Sequence, residues 1–456
     1  MSGRVAPPVA AGEAAAAAST PGRKLFGTDG VRGVAGEQVT AELALALARA
    51  ATERVTAAAE HGAAPRVLVI RDTRESGEML EAAVAAGISA AGGEALLGGI
   101  LPTPGAALLV RRHGFGLAVV LSASHNPYRD NGIKFFGGDG YKLSDDTELE
   151  IERMLDVAPT PARPGRIRRF HGALDGYEAA LEERFGDLDL AGRRLLLDCA
   201  NGATFEAAPA VFRRLGADVD VLAAEPDGRN INAGCGSTHV DALAAVVREG
   251  GHDAGFAFDG DGDRVLAVDR NGVVVDGDEL VALAAIHLGV PGVAVTVMTN
   301  YGFHTGMREA GIEVATTPVG DRYVLEALRE RGWTLGGEQS GHIIECGFVP
   351  SGDGIAAALL TLEALGDGDL ADRHAMEKLP QRLVNVRVRD RDAVGRAPGV
   401  QAAVERESAA LAGRGRVLLR PSGTEPVVRV MAEAPTAAEA RAVCDRLVGE
   451  VRAELG

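Results

Sequence analysis

Three stretches of the chain repeat the same order of elements, and this repeat constrains the fold more than any other feature of the sequence. Each stretch begins with a short apolar segment that predicts a buried strand, at Arg66–Ile70, Arg194–Leu197 and Val293–Met298. A helical segment, a glycine and a second apolar segment follow, an order typical of βαβ units in open α/β sheets. In the third stretch we expect a turn around Tyr301-Gly302 before the helix. The sequence therefore predicts three similar α/β modules.

Each repeat continues through a second helix into a third strand, and a polar loop follows that strand. The loops contain SASHNP from Ser122, DGDGD from Asp259 and GGEQSGH from Gly336. Open α/β sheets bind ligands beyond the carboxyl ends of their strands, so these loops are the predicted functional sites. A glycine after a helix occurs in many α/β proteins, but three copies that each end in such a loop argue against coincidence.

The C-terminal part of the chain lacks this repeat. Its predicted strands are Gln381–Val388, 414–420 and 427–434, and its predicted helices are Val400–Ala412 and Thr436–Glu454. Short strands joined by a tight polar loop, here RPSGTEP from Arg420, are typical of a small antiparallel sheet with helices on one face. The sequence therefore predicts a C-terminal α+β domain.

These patterns divide the chain into five parts. They are a disordered N-terminal tail (1–23), domain I (24–167), domain II (168–273), domain III (274–377) and domain IV (378–456). The tail is rich in Ala and Pro and lacks the apolar core of a signal peptide, so we interpret it as disordered.

Charge and composition exclude some classes of function. The net charge of −17 argues against a nucleic-acid or membrane-surface binder, because both use a broad positive field. No stretch offers the ~20 uninterrupted apolar residues of a membrane span. The four cysteines form no CxxC pair, which favours reduced thiols in a cytosol. We expect a cytoplasmic protein with a small-molecule partner and neither nucleic-acid nor membrane partners.

Asp259, Asp261 and Asp263 alternate with glycines, which allow the backbone to curl so that the carboxylates converge on one hard cation. An EF-hand is the alternative, but it requires Gly at the sixth position and Glu at the twelfth, where this chain has Arg264 and Arg270. Carboxylates without His or Cys favour Mg²⁺ over Zn²⁺. The loop therefore predicts a magnesium site.

The SASHNP loop places hydroxyls beside the imidazole of His125. A plain turn is one interpretation, and a Ser–His–Asp hydrolase fits poorly because no GxSxG is present. A serine that accepts a phosphoryl group fits better, since its anion would complete the shell of the predicted metal. Lys134, between apolar residues, is either an extended surface lysine or a proton-transfer group.

The two remaining loops suggest binding of a sugar phosphate. In GGEQSGH, a carboxylate can bridge neighbouring sugar hydroxyls, although His342 alone would more often be structural. In RPSGTEP, backbone N–H groups, two hydroxyls and the guanidiniums of Arg420 and Arg429 can surround a phosphate, and a surface turn is the alternative. Phosphoryl transfer depends on positioning and on neutralising charge, and these loops together offer both.

The loops resemble those of the α-D-phosphohexomutase superfamily from about Lys24 to the C-terminus. The matching motifs, in order, are LFGTDGVRG, SASHNP, LDCANGAT, INAGCGSTH, FDGDGDRVLAVD, TTPVGDRYV, GGEQSGH and RPSGTEP. The first two point to the branch that acts on glucosamine phosphates. The resemblance implies three similar α/β modules with mixed sheets around a central cleft, followed by a C-terminal domain with an antiparallel sheet.

The resemblance also implies a role for each matching position. Ser124 would be a phosphoserine that shares Mg²⁺ with Asp259, Asp261 and Asp263. The implied catalytic residues are Ser124, Lys134, His125, Arg264, Arg32 and His342. Lys134 is the favoured proton-transfer group, and His342 is a candidate for the opposite direction. Glu338 and Ser340 would bind sugar hydroxyls, Gly320, Asp321 and Arg322 would form a substrate-facing loop, and Arg420, Ser422, Gly423, Thr424 and Arg429 would hold the distal phosphate.

The implied reaction interconverts glucosamine 6-phosphate and glucosamine 1-phosphate, with glucosamine 1,6-bisphosphate as intermediate and activator. Three alternatives remain: a phosphomannomutase or phosphoglucomutase, a sugar-phosphate sensor without turnover, and a simple phosphatase. A homodimer is one possible assembly.

Overall fold

The computed structural model describes residues 25–27, 29–58, 64–158, 162–422 and 425–456. The predicted N-terminal tail, residues 1–23, lies outside the described residues. Gly423 and Thr424 of the predicted phosphate loop also lie outside them. Within these ranges, none of the helices combines the length and apolar character that a membrane crossing requires.

The first module is a six-stranded mixed sheet in the order β1-β5-β4-β2-β3-β6. Its elements are β1 (Val31–Val34), α1 (Ala41–Ala58), β2 (Arg66–Arg71), α2 (Gly77–Ala90), β3 (Glu94–Ile100), α3 (Thr103–His113), β4 (Leu117–Leu121), β5 (Asp130–Gly137), α4 (Asp145–Leu155) and β6 (Ile167–Arg169). Strand β2 pairs in parallel with β3 and β4, while β5 runs antiparallel to β4. Strand β6 pairs with β3 as far as Arg169, and the division of the chain at residue 167 stays a prediction.

The second module is a five-stranded sheet in the order β11-β10-β9-β7-β8. Its elements are α5 (Ala173–Arg184), β7 (Arg194–Asp198), α6 (Ala207–Arg214), β8 (Asp218–Leu222), α7 (Asp241–Gly250), β9 (Ala254–Phe258), β10 (Val265–Asp269) and β11 (Val274–Val275). Strand β7 is parallel to β8 and β9, and β10 is antiparallel to β9.

The third module is a four-stranded sheet in the order β13-β12-β14-β15. Its elements are α8 (Gly277–Leu288), β12 (Gly292–Thr296), α9 (Tyr301–Glu309), β13 (Glu313–Thr317), α10 (Asp321–Arg331), β14 (Leu335–Gly337), β15 (Ile343–Glu345) and α11 (Gly354–Leu365). The predicted turn at Tyr301-Gly302 is wrong, because these residues begin α9. The Asn300 side chain caps this helix by accepting the Gly302 N–H.

The fourth domain is a three-stranded antiparallel sheet in the order β16-β18-β17, as predicted. Its elements are β16 (Gln381–Arg387), α12 (Pro398–Ala410), β17 (Arg416–Pro421), β18 (Val427–Glu433) and α13 (Ala437–Leu455). Its buried core is separate, whereas one apolar cluster extends through the first three modules. The prediction of three modules with mixed sheets and an antiparallel C-terminal domain is confirmed.

All three modules place their polar loops by the same rule. The loops follow the parallel strands β4, β9 and β14, and each leads into a strand that returns antiparallel: β5, β10 and β15. Each loop therefore sits at the carboxyl end of a central strand and is held on both sides by hydrogen-bonded backbone.

Candidate active site

The loop after β4 presents Ser124 in an unusual backbone conformation. Its φ is +51°, a region that non-glycine residues adopt only where the surroundings hold them. The carbonyl of Ser124 accepts hydrogen bonds of 2.9 Å from Arg74 and from the Asn232 side chain of domain II. The Ser124 hydroxyl donates to Asp259 Oδ2. The loops of domains I and II thus meet at this hydroxyl.

The buried side chain of Arg74 supports the loop that carries Ser124. Its guanidinium is fully buried and pairs with Asp72 at 2.9 Å. Asp72 also accepts the Ser122 hydroxyl at 2.6 Å, and burial raises its pKa, although Arg74 lowers it. The guanidinium donates to four backbone carbonyls, those of Ser124, Asn126, Pro127 and Asp130. On the domain I side, one side chain therefore holds the curvature that directs the Ser124 hydroxyl to Asp259.

Asp259, Asp261 and Asp263 form a compact acidic cluster. Three of their carboxylate oxygens lie within 4.8 Å of one another, and all three residues are buried. Asp261 Oδ1 and Asp263 Oδ1 are buried without a hydrogen-bond partner among the described residues. Burial, together with the neighbouring carboxylates, raises the pKa of Asp259 well above its usual range. Converging oxygen donors with unsatisfied acceptors fit a hard divalent cation such as Mg²⁺.

Lys134 lies on β5 and points into this cluster. Its side chain is 1% exposed, and Nζ lies 2.8 Å from Asp261 Oδ2 and 2.9 Å from Asp29 Oδ2. Burial alone would lower its pKa, but the two carboxylates raise it. Asp29 also contacts the predicted residue Arg32. Lys134 therefore links the acidic cluster to Asp29 of the motif LFGTDGVRG.

His342 lies beside the cluster, and His125 lies beside Ser124. His342 Nδ1 is 3.6 Å from Asp263 Oδ2, and Nε2 accepts the Gly352 N–H at 3.1 Å. In neutral His342 the ring proton therefore lies on Nδ1, facing Asp263. His125 Nδ1 is 3.4 Å from the Ser124 hydroxyl, and burial, with two nearby arginines, lowers its pKa.

Arg264 joins the metal loop to the site's third loop. Its backbone N–H donates to Asp259 Oδ1 at 3.2 Å, and its Nε lies 3.7 Å from Asp263 Oδ1. Burial alone would lower the pKa of this guanidinium. The carboxylates of Asp263, Asp259 and Glu338 outweigh burial, so the pKa is raised above its usual value. Its charge thus lies between the acidic cluster and the carboxylate of the third loop.

The third loop is tied to the preceding helix of domain III. Glu338 Oε1 accepts the Gly320 N–H at 3.0 Å, and the Glu338 N–H donates to the His342 carbonyl at 3.0 Å. Ser340 is exposed at the tip. Asp321 contacts Lys142, and Arg322 lies 3.1 Å from Glu148 on α4 of domain I. Of the predicted substrate-facing segment, both charged side chains thus contact domain I, and their contact with substrate stays a prediction.

The predicted phosphate loop lies apart, on domain IV. Arg420 and Arg429 face each other across β17 and β18, and both Nε atoms are buried without a hydrogen-bond partner in the part of the chain described. Burial and the neighbouring Arg429 lower the pKa of Arg420. Ser422 Oγ accepts the Glu425 N–H at 3.4 Å. Two adjacent guanidiniums fit an anion, and their role stays a prediction.

Sequence reasoning missed four residues of this site: Asp29, Arg74, Thr103 and Lys142. Asp29 lies in the motif LFGTDGVRG, but the sequence alone assigned it no role. Thr103, the first residue of α3, donates its hydroxyl to Asp261 Oδ2 at 2.6 Å. Arg74 and Lys142 are charged residues close to apolar strands, which is a weak sequence signal. Only their tertiary contacts show what they do.

Comparison with known proteins covers nearly the whole chain. Four domain families described as phosphoglucomutase/phosphomannomutase match it: domain I at 23–160, domain II at 175–272, domain III at 276–383 and the C-terminal domain at 383–450. The phosphoglucosamine mutase of Deinococcus deserti is 48% identical over 440 residues, covering 94% of this chain and 98% of that protein.

Two solved structures share the fold. A phosphoglucomutase/phosphomannomutase family protein from Burkholderia thailandensis has a TM-score of 0.80 and 25% identity, over 94% of this chain and 97% of that one. The N-acetylphosphoglucosamine mutase of Aspergillus fumigatus, solved with GlcNAc-6P and magnesium, has a TM-score of 0.68 and 19% identity, over 98% of each chain. The second likeness concerns the fold alone.

Proposed function

The chain belongs to the phosphoglucomutase/phosphomannomutase family, and from this membership we propose that it interconverts glucosamine 6-phosphate and glucosamine 1-phosphate. The enzyme is an intramolecular phosphotransferase of the isomerase class. Its amino-sugar product would feed UDP-N-acetylglucosamine and peptidoglycan precursor synthesis. The relative from Deinococcus deserti, named a phosphoglucosamine mutase, supports this substrate. The observation on which the proposal depends is the Ser124 hydroxyl bound to Asp259 at the edge of a buried acidic cluster.

In the proposed reaction, phosphoserine at Ser124 donates its phosphoryl group to the free hydroxyl of the sugar phosphate. The bond between phosphorus and Ser124 Oγ breaks as the bond to the sugar oxygen forms. Mg²⁺ held by Asp259, Asp261 and Asp263 would neutralise charge on the phosphoryl oxygens. Arg264 and Arg32 add positive charge around the reacting group, and His125 stands beside the serine.

The sugar hydroxyl must lose its proton as the new bond forms. Lys134 and His342 are buried, titratable nitrogen groups that contact the acidic cluster. We assign proton transfer to Lys134 in one direction and to His342 in the other: in each transfer one of the two groups accepts the proton of the attacking hydroxyl, and the other gives a proton to the oxygen that leaves phosphorus. Both nitrogens contact carboxylates, which orient them beside the reacting centre.

The product of the first transfer is glucosamine 1,6-bisphosphate, which must turn around before Ser124 takes the other phosphate. Glu338 and Ser340 would hold the sugar hydroxyls in both orientations. Arg420, Ser422 and Arg429 would hold whichever phosphate is not reacting, because two adjacent guanidiniums can bind a phosphate at either end of the sugar. Rotation of domain IV, whose core is separate, would open the cleft for this turn.

We also propose a location and partners for the protein. A cytoplasmic location agrees with four cysteines that are all free. A small-molecule sugar phosphate is the proposed partner, without nucleic acid or membrane, and a homodimer stays a prediction.

The decisive experiment combines turnover and mass. We expect intact mass to show one phosphate of ~80 Da that peptide mapping places on Ser124. Ser124→Ala should lower kcat more than about 10³-fold and leave sugar-phosphate binding in place. Ser89→Ala, a control at a half-buried serine whose hydroxyl donates to the Gly165 carbonyl, should retain full activity. Full activity of Ser124→Ala would defeat the assignment.

The substrate is tested by assaying glucosamine, glucose and mannose 6-phosphates side by side. We expect the highest kcat/KM with glucosamine 6-phosphate. A higher value with glucose or mannose would replace the proposed substrate with that of a phosphoglucomutase or phosphomannomutase. Binding without turnover would indicate a sensor, and stoichiometric release of inorganic phosphate would indicate a phosphatase.

A further inference from the structure

Lys142 joins two modules at the site, and the proposed reaction gives it no role. It follows β5, where residue 142 bridges back to Phe136, and its side chain is only 11% exposed. The ammonium contacts Asp29 of domain I and lies 2.5 Å from Asp321 Oδ2 of domain III. A charge-assisted bridge between carboxylates of two modules restrains the modules relative to each other at this point.

The two carboxylates that Lys142 contacts connect it to Lys134 on one side and to Glu338 on the other. On the domain I side, Asp29 Oδ2 lies 2.9 Å from Nζ of Lys134. On the domain III side, Asp321 begins α10, and the residue before it, Gly320, donates its N–H to Glu338 Oε1 at 3.0 Å. Gly320 has a φ of +133°, which only glycine adopts readily, so the direction of this N–H depends on where Asp321 is held.

We propose that Lys142 is a positioning residue that fixes the sugar-binding carboxylate of Glu338 relative to the reacting centre at Ser124. Lys142 acts through Asp321 and Gly320. The inference rests on the proposed function, because there Glu338 binds the sugar hydroxyls. A second ion pair joins the same modules with the charges reversed, Arg322 of domain III to Glu148 of domain I at 3.1 Å. With this pair and the apolar cluster that the modules share, we expect the modules to stay associated when Lys142 is changed.

A double-mutant cycle tests this role, because residues that act through each other have non-additive effects. Lys142→Met should lower kcat/KM for glucosamine 6-phosphate roughly 10- to 100-fold, since small misplacements of a binding group are costly. In a Glu338→Gln background, the same change should lower kcat/KM less than about 3-fold. Lys142→Arg, which can still bridge two carboxylates, should retain most of the activity.

Arg194→Met is the matched control. Arg194 also bridges two carboxylates, Asp220 at 2.8 Å and Asp218 at 4.0 Å, but it begins β7, at the end of the strand opposite to the loops of the site. Whatever its effect, the fold-change should be equal with and without Glu338→Gln. Thermal unfolding checks each variant, and Lys142→Gln enters the cycle if Lys142→Met gives no folded protein.

The outcomes separate the two proposals. Equal fold-changes for the Lys142 variant in both backgrounds would overturn its positioning role and leave the mutase assignment untouched. A wild-type protein that turns over no glucosamine phosphate would overturn the proposed function instead.

Discussion

Arg74 illustrates how a residue without a chemical step can set the geometry of a reacting group. A backbone at φ +51° is costly for serine, and the free energy must come from contacts that exist only in this conformation. The buried guanidinium offers such contacts, because one side chain donates to four carbonyls of a single loop. Asn232 adds a contact from a second module. The strain at Ser124 is therefore maintained by both sides of the cleft.

We predict that Arg74→Met lowers kcat roughly 10- to 100-fold and changes KM less than about 3-fold, because it displaces the phosphoryl-bearing loop and not the sugar-binding residues. Stability should also fall by about 3–5 kcal/mol, since Asp72 is left buried without its partner. Arg74→Lys keeps the charge beside Asp72 but cannot reach four carbonyls. It should therefore restore stability more fully than kcat, as thermal unfolding and steady-state kinetics would show. An unchanged kcat in Arg74→Met would contradict this role.

At the scale of the elements, two loops of different modules also pack backbone against backbone. Gly260, between two aspartates of the metal loop, lies so close to the loop of Ser124 that an added Cβ would sit 2.5 Å from the Ser124 carbonyl oxygen. That oxygen is itself held by Arg74 and cannot retreat without losing hydrogen bonds. The position therefore requires glycine for close approach, and the spacing DGDGD serves packing as well as metal geometry.

We predict that Gly260→Ala separates Ser124 from Asp259 and lowers kcat at least about 10-fold, with a smaller relative effect on binding of the sugar phosphate. Gly449→Ala is the matched control, because an added Cβ at this exposed position of α13 meets nothing within 4 Å. The control should keep wild-type kcat and gain slightly in stability. Kinetics and unfolding of both variants, measured in parallel, check the prediction, which fails if the two alanines have equal effects.

Elements with a strong local pattern were predictable from sequence, and those defined by distant partners were not. The predicted strand Arg194–Leu197 differs from β7 by one residue, because its apolar run ends at a turn that local chemistry marks. The sequence around Asn300 was ambiguous, because the residues that favour turns also cap helices. The structure has the start of α9 where the sequence predicts a turn. The returning strands, which make the sheets mixed, followed from the family resemblance and not from the period of the repeat.

The site divides in the same way. The acidic cluster was predictable because its three aspartates are neighbours in sequence, and alternation with glycine is visible there. Asp29 and Lys142 are separated by more than a hundred residues and become meaningful only when folding brings them together. A lone charged residue in a sequence has many ordinary roles, so no pattern along the chain could have distinguished these two.

At the scale of the whole molecule, buried polar contacts join modules that share one apolar core. The Tyr177 hydroxyl on α5 donates to the Asp353 carboxylate at 2.9 and 3.0 Å. Asp353 caps α11 by accepting the Ala356 N–H, and the next residue, Gly354, donates its N–H to the Gly262 carbonyl in the metal loop. One carboxylate therefore links α5, α11 and the acidic loop, and its protonation bears on the stability of the assembled modules.

Burial raises the pKa of Asp353 to about 7, although its hydrogen bonds lower it. In the unfolded chain the pKa is about 3.9, so between about pH 4 and pH 7 the folded protein holds a proton that the unfolded chain has released. Stability from this group is therefore present at low pH, falls as pH rises through that interval, and is constant above about 7. Asp353→Asn is always neutral and can still cap α11 and accept from Tyr177.

We therefore predict that Asp353→Asn and wild type melt at similar temperatures near pH 5, and that the variant melts roughly 2–5 °C higher at pH 8. Calorimetry at constant ionic strength, on protein free of divalent cations, measures this difference. Tyr177→Phe is the control, because it keeps the titrating carboxyl and removes a donor that favours its charged form. It should steepen the loss of stability between pH 5 and pH 8, since the pKa of Asp353 then rises further. Parallel pH profiles for wild type and Asp353→Asn would show that this carboxyl ionises in the folded protein as it does in water.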